Sequence, residues 1–344
     1  MSTPVDPGTS LVSDLGERGL IERIHRRLAA PAADVLVGIG DDAAVVVPER
    51  GALEILTTDA LVEGVHFERQ FSSLADVGYK AVAVNASDVA AMGGAPRMAL
   101  LSLMLPPAMT VADVDLLVDG VLEMSRDARV AMVGGNLTRS PGPLIVDVAM
   151  TGAVRPRKML TRDKARSGDV LYVTGTLGCG IAALEWLREA GTGPLSLPEG
   201  ALAGCVRRYR RPAPRLRVGA LLGRNRAASA CMDLSDGLAD AVAQLARASG
   251  TGAVIDAAAL PVDDGAREWF VSKGTDPVIA SVSGGDDYEL LFTVPPKHRG
   301  RLRAVKGLTR GVRITAIGEI TSGRDTVMIR DGRREPLPAG YAHF

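Results

Sequence analysis

The sequence predicts an α/β protein of two domains, and three observations carry that expectation. Short apolar runs alternate with stretches of helical spacing in both halves of the chain. A basic segment with Pro156 and few apolar positions, residues 155–167, interrupts the alternation. The length, 344 residues, exceeds what one core usually serves, and 47% hydrophobic with 23% charged residues can fill two. The expected domains are 1–154 and 155–344.

In the first domain, residues 20–28 read as a short amphipathic helix. Residues 43–47 read as a strand stopped by Pro48, and 53–58 as another. Residues 75–92 set Val77, Ala81, Val84 and Val89 at helical spacing. Residues 99–105 read as a strand closed by Pro106-Pro107. Residues 111–126 read as a helix capped by Thr110, whose hydroxyl can accept from a first-turn amide. Ala131 and Val133 lead into Gly134-Gly135, and 144–151 reads as a buried strand. The second domain restarts with a strand at 170–174, a Gly-rich packing turn at 175–180 and a helix at 181–189. After a Gly/Pro loop at 191–200, helices are expected near 201–210, 214–223 and 236–249, the last capped by Ser235. Strands are expected at 254–255, 290–294 and 313–317.

Composition excludes several function classes. Lys plus Arg equals Asp plus Glu, 40 each, so the basic excess of a nucleic-acid binder is missing. Arg207, Arg208, Arg210 and Arg211 read as a solvated helix end. Three widely spaced cysteines, Cys179, Cys205 and Cys231, suit buried free thiols in a reducing cytoplasm. The first 20 residues carry Asp6, Asp14 and Glu17 and do not read as a signal peptide. The apolar stretch 81–109 is broken by Asn85, Asp88 and Arg97, too polar to span a membrane. The expectation is a soluble cytoplasmic protein with neither nucleic-acid nor membrane partners.

Five short segments set acids beside glycine or at the ends of apolar runs: 38–42 (GIGDD), 57–59 (TTD), 85–88 (NASD), 233–237 (DLSDG) and 283–287 (SGGDD). Gly134-Gly135-Asn136 has the same shape with an amide. Each alone reads as a turn or a cap. Together they would form a repulsive cluster unless a cation neutralised it. Mg²⁺ takes oxygen ligands and shares them with phosphates, and Thr57 and Thr58 add neutral oxygens. That chemistry is metal-dependent phosphoryl transfer from a nucleotide. The phosphate loop GxxxxGK[ST], the dinucleotide fingerprint, the protein-kinase signatures, GxSxG and HExxH are absent. His66 reads as a packing residue near apolar neighbours, while Lys80 and Arg162 could meet phosphate.

Taken in order, seven stretches go further: 38–43 (GIGDDA), 57–67 (TTDALVEGVHF), 79–93 (YKAVAVNASDVAAMG), 173–175 (VTG), 233–238 (DLSDGL), 283–290 (SGGDDYEL) and 340–344 (GYAHF). From about residue 14 onward the chain resembles the thiamine-monophosphate kinase family of the aminoimidazole-ribonucleotide-synthetase-like superfamily. The resemblance implies a two-domain synthetase-like α/β (α+β) fold whose N-terminal domain pairs into a homodimeric β-barrel. It implies transfer of phosphate from ATP to thiamine phosphate, giving thiamine diphosphate, with several Mg²⁺ ions. By motif position, Asp42, Thr57, Thr58, Asp59, Asp88, Asp233 and Asp236 resemble metal ligands. Gly135, Arg162 and Ser235 resemble ATP contacts, and His66, Asp286 and Tyr341 thiamine-phosphate contacts. Tyr341 could stack on a flat heteroaromatic cation.

Two positions depart from the family pattern. Asn136 stands where an Asp metal ligand is common; it keeps an oxygen for metal or ATP but loses a charge. Asp286 stands where Glu is frequent. The acceptor phosphate is already anionic, so direct transfer needs no strong general base. Two other readings remain: another ATP-dependent synthetase of the superfamily, or a non-catalytic nucleotide-binding regulatory protein. Against the first, no cysteine precedes Cys179 and the chain ends in Phe344 rather than a reactive cysteine. The near-complete acidic set opposes the second, and Asn136 favours it.

Overall fold

The structure is a computed structural model that describes residues 6–28, 33–39, 43–191, 193, 196–309 and 311–340. The described residues fall into two compact units. One takes those of Met1–Ala86, Pro96–Ala153 and Gly191–Ser196; the other takes those of Ser87–Ala95, Val154–Ala190 and Leu197–Phe344.

The first unit carries α1 (Val12–Arg27), β1 (Val35–Val37), β2 (Val45–Val46), β3 (Leu53–Val62), the start of α2 (Leu74–Ala91), β4 (Ala95–Leu105), α3 (Val111–Ala128), β5 (Ala131–Arg139) and β6 (Ile145–Val154). Four strands form a sheet in the order β3-β6-β4-β5, so β3 and β5 are its edges. Along β6, Val146, Val148 and Met150 are buried while Ile145, Asp147, Ala149 and Thr151 are partly exposed. This period of two marks one covered and one open face. Leu56 on β3 is 76% exposed and Leu100 on β4 is 44% exposed, both large apolar groups. Helices α2 and α3 approach closely, because a Cβ at Gly120 would overlap the Ala75 carbonyl oxygen. Thr110 caps α3 as expected: its hydroxyl accepts from the Asp113 amide at 3.1 Å, and Asp113 accepts from the Thr110 amide at 2.9 Å.

The second unit continues with β7 (Val170–Thr174), α4 (Cys179–Ala190), α5 (Leu202–Arg210), α6 (Leu216–Arg224), β8 (Ala230–Asp233), α7 (Leu238–Ser249) and β9 (Gly252–Asp256). It closes with α8 (Asp264–Ser272), α9 (Pro277–Ser283), β10 (Leu290–Val294), α10 (Arg299–Leu308), β11 (Ile314–Thr321), β12 (Thr326–Arg330) and β13 (Arg333–Pro336). Seven strands form a sheet in the order β13-β12-β9-β11-β7-β10-β8. β12 and β9 run parallel; the other neighbours are antiparallel. Both faces are covered. Leu291 of β10 joins a core with Leu238, Val242 and Leu245 of α7, while Leu290, Phe292 and Val294 join one with Leu222 of α6 and Leu302 of α10. A strand buried on both sides reads as a continuous apolar run, as β10 does.

Several expectations change. α1 begins at Val12, and Gly16 (φ 69°) kinks it. β3 runs on to Val62 and β5 passes through Gly134-Gly135 to Arg139, because edge strands tolerate polar and small residues. The cap of α7 is Gly237 rather than Ser235. β8, α8, α9, α10, β12 and β13 lie where no element was expected. The three cysteines are free and buried. Among the described residues, no helix is long and apolar enough to cross a membrane.

Gly120→Ala should cost about 2–3 kcal/mol through backbone overlap, read as a Tm fall of roughly 5–10 °C. Gly204→Ala on α5, where a Cβ meets nothing within 4 Å, should leave Tm unchanged or slightly raised.

Candidate active site

In the second unit, β8 ends at Asp233, and the 234–237 loop leads into α7. The Asp233 side chain is almost wholly buried at 6% exposure. Ser87, near the end of α2, donates its hydroxyl to Asp233 Oδ2 at 2.7 Å. Burial pushes the Asp233 carboxyl up to about 6, the negative charge of Asp88 adds to the rise, and the Ser87 hydrogen bond and Arg162 oppose it. Arg162 is oriented by Gln244, whose Oε1 accepts from Nη1 at 2.7 Å. A buried carboxylate whose ionisation is further opposed by the charge of Asp88 suits a divalent cation with oxygen ligands. The donor set therefore fits Mg²⁺.

A second loop lies against the first. The Asp286 amide donates to the Ser235 carbonyl at 2.7 Å and the Tyr288 amide to the Leu234 carbonyl at 2.9 Å, while the Leu234 amide donates to the Glu289 carbonyl at 2.8 Å. The approach is close enough that a Cβ at Gly285 would overlap the Ser235 carbonyl oxygen. Asp236 and Asp286 are half-buried and Ser235 is exposed, its hydroxyl donating to Asp236 Oδ2 at 3.3 Å. A Cβ at Gly340 would stand 3.0 Å from the Asp236 carbonyl oxygen. The chain thus reaches this loop one residue before Tyr341. Tyr341 itself, like Asp42, lies outside the described residues.

In the first unit, Thr57, Thr58 and Asp59 sit on edge strand β3. The Thr58 hydroxyl donates to Asp147 Oδ1 on β6 at 3.0 Å. Gly135 and Asn136 sit on the opposite edge strand, β5, facing Leu101 and Ser102 of β4. Three inter-strand steps, about 14 Å, separate the two edges, so this sheet does not bring the two groups together. His66 is held by backbone: its Nδ1 accepts from the Val62 amide at 3.1 Å. The ring is thus hydrogen-bonded as well as partly buried, as a satisfied packing histidine would be.

The Arg-rich segment is a solvated helix end only at Arg207, which is exposed. Arg210 is buried, and Arg208 donates to Thr176 Oγ1 at 2.6 Å and to Glu289 Oε1 at 3.0 Å. Arg215 grips the same Glu289 through Nε, at 2.5 Å, and Nη2. The 175–180 turn holds protein rather than phosphate: the Gly178 and Gly180 amides donate to Asp287 at 2.8 and 3.2 Å. Cys179 and Cys205, far apart in sequence, meet with Asp263. Arg208 donates to Cys179 Sγ at 3.3 Å, and Cys205 donates to Asp263 Oδ1 at 3.3 Å, so this cluster is satisfied without a metal. The sequence reading missed Ser87 and Asp147. Asp147 had a signal, a lone charge within an apolar strand; Ser87 lay within the 85–88 segment, next to Asp88.

The family profiles of AIR synthase related proteins match in both parts, the N-terminal domain over residues 40–154 and the C-terminal domain over 166–331. The thiamine-monophosphate kinase of Escherichia coli strain K12 is 39% identical over 336 residues, covering 96% of this chain and 98% of the relative. The chain belongs to the thiamine-monophosphate kinase family. Solved structures of that family agree. The Stenotrophomonas maltophilia thiamine-monophosphate kinase superposes with a TM-score of 0.81 at 34% identity, covering 92% of this chain and 96% of that one. AaThiL complexed with AMPPCP and TMP gives 0.75 at 33%, covering 96% and 98%. The two-domain α/β fold of this thiamine-monophosphate kinase family member follows from both.

The raised Asp233 value fixes a sign. The native state holds the proton more tightly than the unfolded chain, so ionised Asp233 lowers stability, fully so above about pH 6. Asp233→Asn should stabilise metal-free protein at pH 7.5 by on the order of 1–3 kcal/mol, read as a higher Tm, and have little effect at pH 4. Mg²⁺ should raise the wild-type Tm more at pH 7.5 than at pH 5, and the variant's much less. Thermal melts at the three pH values check this.

Proposed function

We infer that this protein transfers the γ-phosphoryl group of ATP directly to the phosphate of thiamine monophosphate, giving thiamine diphosphate and ADP. It is a phosphotransferase with a phosphate acceptor. The observation that carries the reading is the buried Asp233 carboxylate, hydrogen-bonded by Ser87 and opposed by the charge of Asp88, in a chain whose relatives are thiamine-monophosphate kinases. AaThiL complexed with AMPPCP and TMP supports the choice of both substrates.

The proposed metal ligands are Asp42, Thr57, Thr58, Asp59, Asp88, Asn136, Asp233 and Asp236, shared among several Mg²⁺ ions, since β3 and β5 hold Thr57–Asp59 and Asn136 on opposite sheet edges. Bound Mg²⁺ would supply the charge neutralisation that two polyanionic reactants need. Arg162, steadied by Gln244, adds a fixed positive group for ATP, alongside Gly135, Asn136 and Ser235. His66, Asp286 and Tyr341 receive thiamine phosphate. No side chain is assigned as a general base, because the acceptor oxygen is anionic near neutral pH. Ser87 keeps the Asp233 carboxylate oriented.

The same reading extends to assembly and setting. The open face of the four-stranded sheet, with Leu56 and Leu100 exposed on it, supports a homodimer in which two such sheets close into a barrel. Three buried free thiols support a reducing cytoplasm. The two family matches support functional domains divided near residue 154.

A coupled ADP-release assay with thiamine phosphate, thiamine or buffer tests the reaction. ADP should appear with Mg²⁺ and thiamine phosphate only; equal release in all three arms would sink the reading. Asp59→Asn should lower kcat/KM by about 100-fold or more with an unchanged melt, and near-normal turnover at saturating Mg²⁺ would remove it from the ligand set. A phosphoenzyme trapped with labelled ATP would overturn direct transfer.

A further inference from the structure

We propose that Asp287 and Glu289, two buried carboxylates, are positioning residues that lock the 284–289 loop and thereby aim Asp286 at the acceptor substrate. This rests on the reading of Asp286 as a thiamine-phosphate contact.

The loop is held in a conformation that the chain would not choose alone. Asp286 (φ 65°) and Tyr288 (φ 49°) both occupy the left-handed region, without glycine's freedom. Such residues persist when their surroundings over-determine them. The backbone bonds to Leu234 and Ser235 tie one side of the loop to the Asp233–Asp236 segment. The side chains of Asp287 and Glu289 tie the other side to the β7–α4 connection.

Asp287, 8% exposed, gives one oxygen to each of two amides: Oδ2 accepts from Gly178 and Oδ1 from Gly180. Burial pushes the Asp287 carboxyl up to about 7, and Arg208 with these two amides at the start of α4 opposes that rise in favour of the anion. Glu289, 0% exposed, accepts from the Thr174 hydroxyl at 2.6 Å, from Arg208 at 3.0 Å and from the Arg215 fork. Arg208 also donates to the Thr176 carbonyl at 3.1 Å, closing the link back to the same turn. Charged groups are an expensive way to fill a core, and an apolar side chain would fill these positions at lower cost. What the charged set supplies is directionality. Each oxygen has a designated donor, so the backbone between them can take one path. Asp286 lies between the Ser235 carbonyl on one side and this anchored pair on the other.

A purely structural role and a positioning role differ in what they move. Loss of structure lowers Tm and the active fraction, and leaves the KM values alone. Loss of aim weakens the acceptor and spares ATP. Asp287→Asn turns an amide NH₂ toward two N–H donors while keeping the shape. It should raise the KM for thiamine phosphate by about 10–100-fold with the KM for ATP within about twofold. Glu289→Gln should move the same parameter in the same direction, and serves if Asp287→Asn fails to fold. Hydrogen–deuterium exchange of ligand-free protein should show faster exchange confined to residues 178–180 and 284–289 in either variant.

Equal changes in both KM values, or a Tm loss with unchanged KM values and unchanged local exchange, would overturn the proposal. Wild-type protein inactive on thiamine phosphate would instead overturn the functional reading, and the exchange pattern would still decide whether the carboxylates lock the loop.

Discussion

Glu289 is the constraint on which the second unit's strand-end loops depend. It has no exposure to solvent, and it is met by two guanidinium groups and a hydroxyl from β7, α5 and the start of α6. Taking either arginine away would leave a buried charge under-compensated, at a cost of about 3–5 kcal/mol. The pairing therefore fixes where β10 begins, and with it the loop that precedes β10. Asp233 lies opposite Leu290 in the β8–β10 register, so the edge strand that delivers the buried carboxylate inherits the same anchor.

The two units carry different kinds of chemistry. In the second, the buried Asp233 carboxylate feels the charge of Asp88 and is balanced by Ser87 and Arg162. In the first, Thr57–Asp59 and Gly135-Asn136 lie on the two edges of a sheet whose open face retains exposed apolar side chains. The division falls within α2, so Asp88 belongs with Asp233 although its helix starts in the first unit. Asn136 is the one amide among otherwise acidic or hydroxyl ligand candidates. Its place on the far edge from Asp59 means that its missing charge is felt apart from the β3 group.

Much of the fold could be read from local pattern. The 290–294 strand matches its observed bounds because both of its faces are buried and every residue is apolar or Thr. Thr110 was legible because a capping box is a local device. The second strand of the site, β8, was not, since Ala230–Asp233 is four residues long and reads as an ordinary loop. Gly134-Gly135 looked like a stop and is strand interior. The Arg cluster looked solvated because its acceptors, Glu289 and Asp263, lie far along the chain. The site shows the same limit: Ser87 and Asp233 are 146 residues apart. Residue type and motif order pointed to metal and phosphate, but which acids meet depends on packing that no local spacing encodes.

The hydrogen bond between Val62 and His66 has a consequence for the orientation of an asymmetric substrate. With Nδ1 occupied as an acceptor, a neutral imidazole carries its proton on Nε2 and can offer only a donor there. On the assignment of His66 to the acceptor substrate, that edge greets an anionic oxygen and gives no welcome to an amino group or a cationic ring. On the proposed placement of His66, a main-chain amide four residues upstream decides which ring nitrogen carries the proton, and so which end of an asymmetric acceptor the ring suits.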